Sequence, residues 1–269
     1  MKDFRELMEP FSQYFQILIA DTPDLIKKAR QIRYEVFCQE FHFEREQDCP
    51  GGLEQDEYDA QSVHCLIIHR SSGAPAGCIR LIHTRPDDPA APLPIERYCS
   101  ASFYPGVTHP SLLPRQGLCE ISRLAVSGHF RKRRGESESP AGVAHVIQIN
   151  DELEYRTFPL LSLTLFMIVL SVAILTGRRS SLAVMEPWLA RQLQIMGFSF
   201  KQIGDVTDYH GARAPFHYTV EQALVDKEKR PMLRQLFERV DPLVEAEARR
   251  AGLIGCASVD PHAELTRRA

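Results

Sequence analysis

"FPLLSLTLFMIVLSVAILT", residues 158 to 176, constrains the fold more than any other part of this chain. It is nearly all apolar and approaches the ~20 residues that a membrane span requires. Arg178 and Arg179 follow it, as they follow many spans. A helix that is apolar all round must be covered all round, either by lipid or by protein. After it the chain returns to an alternation of strand and helix signals. "SLAVME" is strand-like, and "PWLARQLQIMG" is a helix with Pro187 at its first position and Gly197 at its end. The run is therefore expected to be a central helix, covered by a sheet and by other helices. A membrane span is the alternative left open for it, and peripheral membrane contact stays open for the chain as a whole.

The rest of the chain supports one large α/β domain. "YFQILIA" (14–20) reads as a strand, and the next helix carries Thr22 as N-cap, Pro23 at N1 and Asp24 in its first turn. "SVHCLIIH" and "AGCIRLIH" flank "RSSGAP" and form a hairpin signal. The polar stretch "REQDCPGGLEQDEYD" precedes that hairpin, and Pro-rich residues 84–116 follow it. "ESESPAGVAHVIQINDELEYRT" reads as an insertion before the apolar helix, and "FSFKQIG" and "PFHYTV" as late strands. Residues 221–251 are charged and helical, with breaks expected at Pro231 and Pro242, and read as a peripheral extension. The division is 1–220 for the main domain and 221–269 for the extension.

Charge and cysteine content exclude several classes. Lys plus Arg total 32 against 35 Asp plus Glu, so no global basic field attracts nucleic acid. Seven cysteines without CxxC spacing, and ten histidines without HExxH, predict no metal centre. The opening "MKDFRELMEPF" lacks signal-peptide features, so reduced thiols and a cytoplasmic location are expected.

Function is expected where charge interrupts apolar patterns. Ile26, Ala29, Val36 and Phe37 form the stripe of the first helix, and Arg33 falls on it. Burying an unpaired guanidinium is costly, so either a carboxylate or ligand meets it or its head reaches the edge. Glu54, Asp56, Glu57 and Asp59 lie within six residues, as a solvated loop, a cation pocket or partners for buried arginines. Arg80 stands mid-strand in "GCIRLIH". In "CEISRLAVSGHFRKRRG" (119–135), strict alternation puts Glu120 and Arg123 on opposite faces. They share one site only if a β-bulge shifts the parity between them. Arg131, Lys132, Arg133 and Arg134 then lead to Gly135, a turn suited to an anion or simply a basic surface cluster.

Taken in order, these pieces resemble GNAT acyltransferases, in "RLAVSGHFRKRRG" and in "WLARQLQIMGF". The first half is similar to acyl-homoserine-lactone synthases and long-chain N-acyl amino acid synthases. Their pattern is met by Arg33 with Val36 and Phe37, Asp56 with Asp59, Gly77 with Arg80 and Leu81, and Glu120 with Ser122 and Arg123. The likeness runs over residues 14–205. "FCQEFHFE", "EYDAQSVHCLI" and the insertion after the basic loop most resemble the acyltransferases associated with PEP-CTERM/exosortase systems of Gram-negative bacteria. Three departures from the homoserine-lactone synthases stand out. A family tryptophan is replaced by Phe41 or Phe43, their S-R-F reads "SRL" here, and a long insertion follows the basic loop. Together they point away from S-adenosylmethionine as the amine, and none touches acyl transfer itself.

The resemblance implies an α/β GNAT-like fold, a twisted mixed β-sheet flanked by helices and splayed around the strand at 118–126. It implies a cytoplasmic enzyme that moves a fatty acyl group from an acyl carrier protein phosphopantetheine thioester, or acyl-CoA, to a small amine. No tightly bound cofactor is expected. Glu120 and Arg123 take catalytic roles, with Glu120 as base. Arg33, Phe37, Asp56, Asp59, Arg80 and Ser122 take the acceptor, and Val126, Arg131, Arg133, Arg134 and Gly135 the acyl donor. The alternatives are an acyl-homoserine-lactone synthase using S-adenosylmethionine, and a non-catalytic module that binds a carrier protein.

Overall fold

A computed structural model describes residues 11–85, 87–131 and 158–255. Strand β1 (Phe15–Ile19) leads through the Thr22 cap into α1 (Pro23–Arg33). The Thr22 side chain accepts the Leu25 N–H, and the helix then widens into a π-helical segment, Tyr34–Glu40. β2 (Ser62–His69) and β3 (Pro75–His83) form the expected hairpin. A short helix α2 (Pro94–Tyr98) lies in the Pro-rich stretch, followed by β4 (Leu118–Val126) and a single turn α3 (Gly128–Arg131). The apolar run forms α4 (Phe158–Leu175). Then come β5 (Ser180–Met185), α5 (Pro187–Met196), the short strands β6 (Lys201–Gln202) and β7 (Thr207–Asp208), and β8 (Ala212–Thr219). Helices α6 (Val220–Lys229) and α7 (Pro231–Arg250) finish the described chain.

Among the described residues eight strands form one mixed sheet, ordered β1-β2-β3-β4-β5-β8-β6, with β7 paired to β8. Neighbours are antiparallel except β4 and β5, which run parallel. Alternation sorts the side chains onto two faces. Leu66, Ile68 and Cys78 pack with Ala29 and Ile32 of α1. Cys65, Ile67, Ile79 and Leu81 pack with Leu161, Leu165 and Ile168 of α4. Helix α4 is thus clamped between the sheet and α7, which explains an apolar surface on every side. Among the described residues no helix is long and apolar enough to cross a membrane.

Four expectations change. In α1 the buried position is Ile32, while Ile26 is only half-buried, so the stripe is rotated toward Arg33. The strand expected in "FSFKQIG" shrinks to Lys201–Gln202. The helical stretch after 220 breaks once, before Pro231, whereas Pro242 sits inside α7. That helix is also not peripheral: Leu233, Leu236, Val240 and Val244 are fully buried in the main core. The insertion read between the basic turn and α4 lies outside the described residues.

Gly77 has a specific task in this packing. A Cβ there would lie 2.9 Å from Leu165 Cδ1 and 3.3 Å from the Ala125 carbonyl. Glycine lets α4 approach β3 while β3 keeps its ladder with β4.

Candidate active site

The parity conflict in β4 is resolved by a bulge. Cys78 of β3 pairs with Ala125 and Arg80 pairs with Ser122, so β4 carries one extra residue in this interval. Arg123 has φ 52°, a left-handed conformation that L-residues adopt at a cost of about 1–2 kcal/mol. Before the bulge Glu120 and Ser122 face the α1 side, while Cys119 and Ile121 enter the α4 core. After it Ala125 faces α1, and Leu124 and Val126 face α4. The bulge therefore turns the Arg123 side chain away from the α4 core and toward the carboxylates.

Those carboxylates come from the polar stretch, which partners buried arginines rather than forming a solvated loop. Arg33 pairs with Glu54 through Nε and with Asp59 through Nη1 at 2.8 Å. Arg80 holds Asp59 at 2.6 Å and donates from Nε to Ser122 Oγ at 3.0 Å. It also grips Asp56 from both terminal nitrogens. Arg123 reaches Glu54 at 3.1 Å, Glu44 at 3.2 Å and Asp56 at 3.4 Å, and lies over the Phe37 ring at 5.7 Å. Burial alone would raise the Glu54 carboxyl, but Arg123 and Arg33 hold it down at about 2. Burial opposes ionisation of Asp56 too, and its bonds to Arg80 override it to give a strongly lowered pKa.

A polar cavity of about 390 Å³ opens above this network, lined by Glu54, Asp56, Arg80, Glu120, Ser122 and Arg123. Arg33 and Asp59 are not on that lining; they stand behind it and hold the residues that are. Glu120 is 4% exposed and sits beside a cluster of Ile82, Leu118, Leu182 and Ile95. Burial pushes its carboxyl up to about 8, although Ile95 N–H donates to Oε2 at 2.9 Å. A carboxyl raised to about 8 can exchange a proton near neutral pH.

A second cavity adjoins the first where β4 and β5 part. Their ladder joins Leu118–Ile121 to Ser180–Ala183 and goes no further. Beyond it Ser122, Arg123 and Leu124 face Val184 and Met185 across open space, with Phe37 and Phe166 at its sides. Among the described residues of α4, Phe166 lines this space, while Leu161, Leu165 and Ile168 are buried in the core.

Val126 ends β4, buried and paired with Gly77. Arg131 ends α3, and Arg133, Arg134 and Gly135 lie outside the described residues. Sequence reading assigned no role to Glu44, Tyr209, His210 or Arg213, all of which line the polar cavity. Glu54 stood in the acidic run without a role of its own. Nothing local in "DYHGARAPF" marks that loop; it comes to the site because β8 crosses to pair with β5. Among the described residues no group of His, Cys, Asp and Glu is arranged to hold a metal ion.

An acetyltransferase (GNAT) domain model matches residues 32–138. Among curated proteins none matches the chain in sequence. Solved structures are similar in fold at low identity. TofI in a ternary complex with an inhibitor and MTA has a TM-score of 0.54 at 16% identity, over 81% of this chain and 99% of that one. The AHL synthase LasI has 0.52 at 14%, over 77% and 89%. The CoA-dependent acyl-homoserine lactone synthase BjaI with MTA has 0.51 at 20%, over 89% and 99%. The chain therefore has a GNAT-type α/β fold of the kind seen in the acyl-homoserine lactone synthases.

Proposed function

We propose that this protein is an N-acyltransferase that moves a fatty acyl group from a phosphopantetheine thioester, on acyl carrier protein or CoA, to the primary amine of an amino acid. The observation that carries this reading is the Glu120 carboxyl, buried beside the gap between β4 and β5. The thioester carbonyl would enter through that gap. A protonated amine cannot attack it, and Glu120, once ionised, would accept the amine proton. As the nitrogen adds, the carbonyl oxygen gains charge, and backbone N–H groups at the Arg123–Leu124 bulge are candidates to receive it. Collapse of the intermediate breaks the C–S bond, and the proton held by Glu120 can pass to the departing thiolate.

The paired arginines and carboxylates would fix the shape and charge of the acceptor wall; Arg123 and Ser122 would border the reacting atoms. The basic turn at Arg131, Arg133, Arg134 and Gly135, with Val126 before it, would receive the pantetheine phosphate and an acidic carrier surface. A cytoplasmic location and a link to PEP-CTERM/exosortase systems belong to this proposal through the sequence resemblance.

A second reading is an acyl-homoserine lactone synthase using S-adenosylmethionine. It is favoured by the fold likeness to LasI, TofI and BjaI. Expression in a bacterium followed by mass spectrometry of lipid extracts separates the two by product. The proposal expects N-acyl amino acids that vanish with Glu120→Gln; acyl-homoserine lactones would establish the second reading. No acylated amine from either class would overturn both.

A further inference from the structure

Arg213 differs from every other arginine of the site. Arg33, Arg80 and Arg123 each hold at least two carboxylates. Among the described residues the Arg213 guanidinium holds none, and its Nε is buried without a hydrogen-bond partner. It lies 4.8 Å over the Phe43 ring, which fixes its plane but gives its N–H groups no acceptor. Glu186 and Glu44 influence it without forming an ion pair, and Glu44 is already engaged by Arg123. Burial is the main effect on Arg213 and disfavours its charge. Arg213 is half-buried, and a buried guanidinium nitrogen without an acceptor carries a desolvation cost that a ligand oxygen would relieve.

Its position says which ligand. Arg213 lines both the polar cavity that contains Glu120 and the gap between β4 and β5. In the polar cavity Glu54, Asp56 and Glu44 are bound to arginines, and among the described residues Arg213 is the lining arginine that holds no carboxylate. A carboxylate matches the fork of a guanidinium with two parallel hydrogen bonds.

Resting on the acyltransfer reading, we propose that Arg213 is the specificity residue that binds the carboxylate of an α-amino-acid acceptor, presenting the amine toward Glu120. The acceptor is then an α-amino acid with a free carboxylate, alone or as part of a larger molecule. Simple amines and amino-acid amides are disfavoured because they leave the guanidinium unpaired.

The test uses the full chain, acyl-CoA and acyl carrier protein donors, and each common amino acid beside its own carboxamide. Wild type, Arg213→Met and Arg213→Lys are compared by steady-state kinetics. The free acid should be preferred by wild type. Arg213→Met should raise KM for the acid by about 30-fold or more, with little change for the carboxamide or for donor KM. Arg213→Lys should recover part of the loss. Equal use of acid and carboxamide by wild type overturns the proposal and leaves acyl transfer standing. So does a rise in donor KM with acceptor KM unchanged, which places the guanidinium on the donor. No acylation of any acceptor by wild type overturns the acyltransfer reading itself and this proposal with it. Should Arg213→Met fail to fold, the acid–carboxamide comparison and the lysine variant still decide.

Discussion

Arg80 and Asp56 meet through two parallel hydrogen bonds, Nη1 to Oδ1 at 2.6 Å and Nη2 to Oδ2 at 2.9 Å. The pair ties the middle of β3 to a loop that has no regular structure of its own at that point. Arg80 is fully buried, so its removal leaves Asp56 and Asp59 short of a counter-charge in a poorly solvated place. Arg80→Met should destabilise the fold by about 3–5 kcal/mol. Arg80→Lys should cost somewhat less, since a point charge keeps attraction but loses the two-pronged geometry. Urea unfolding of the three proteins measures this; equal midpoints would show that the pair is dispensable.

The same network should make the protein sensitive to acid. The folded Glu54 carboxyl titrates at about 2, below its unfolded value of 4.5, and Asp56 is lowered as well. A lowered folded pKa gives stability that is present above the unfolded value and lost as pH falls toward the folded one. Unfolding free energy should therefore decline from pH 4.5 downward, and Glu54→Gln should show a shallower decline from a lower starting point. Parallel pH profiles would remove Glu54 from the explanation.

Gly77→Ala tests the contact between sheet and helix. The added methyl would press on Leu165 and on the Ala125 carbonyl, just beside the bulge. Overpacking of this kind costs about 1–3 kcal/mol. Leu165→Ala in the same chain should recover part of that cost by making room for the methyl, so the two changes should be non-additive in a double-mutant cycle. Strict additivity would mean that the helix moves away freely.

The basic turn should govern donor binding rather than chemistry. Changing Arg131, Arg133 and Arg134 to Glu should raise KM for acyl carrier protein, more at low than at high salt, because screening removes part of the attraction. Turnover at saturating donor should fall much less than in Glu120→Gln. Unchanged donor saturation would make the turn a surface cluster.

Much of this was legible because sequence patterns were broken in informative ways. The helix cap at Thr22 and the hairpin at 62–83 are local signals, and they appear as read. The misfit of Glu120 and Arg123 to one strand face required a bulge, and a bulge is present. Arg33 on an apolar stripe left two outcomes, a buried partner or a head at the edge, and two carboxylates meet it. Hidden from the sequence were relations made only by the sheet order. Arg213 and His210 reach the cavity because β8 returns beside β5, some ninety residues after β4. Helix α7 reads as peripheral because its exposed face is charged, while Leu233, Leu236, Val240 and Val244 turn their apolar face to α4.

Glu120 joins the fold's energetics to the proposed chemistry, and one substitution tests both. Its folded pKa of about 8 lies above the unfolded value of 4.5. A raised carboxyl favours the folded state at low pH and loses that contribution as pH rises through 4.5 toward 8. Glu120→Gln removes this titration, so its stability relative to wild type should increase across that window. The kinetic effect runs the other way. Acting as a base, Glu120 must be ionised, so wild-type kcat/KM for the amine should rise with pH up to about 8. Glutamine cannot accept the proton, and turnover should fall by about 100- to 10,000-fold. Chemical denaturation and steady-state rates, both measured from about pH 5 to pH 9, check the pair. A Glu120→Gln variant with wild-type turnover would remove Glu120 from the mechanism. One that is inactive yet shows no pH-dependent gain in stability would mean that the carboxyl is not held neutral in the folded protein.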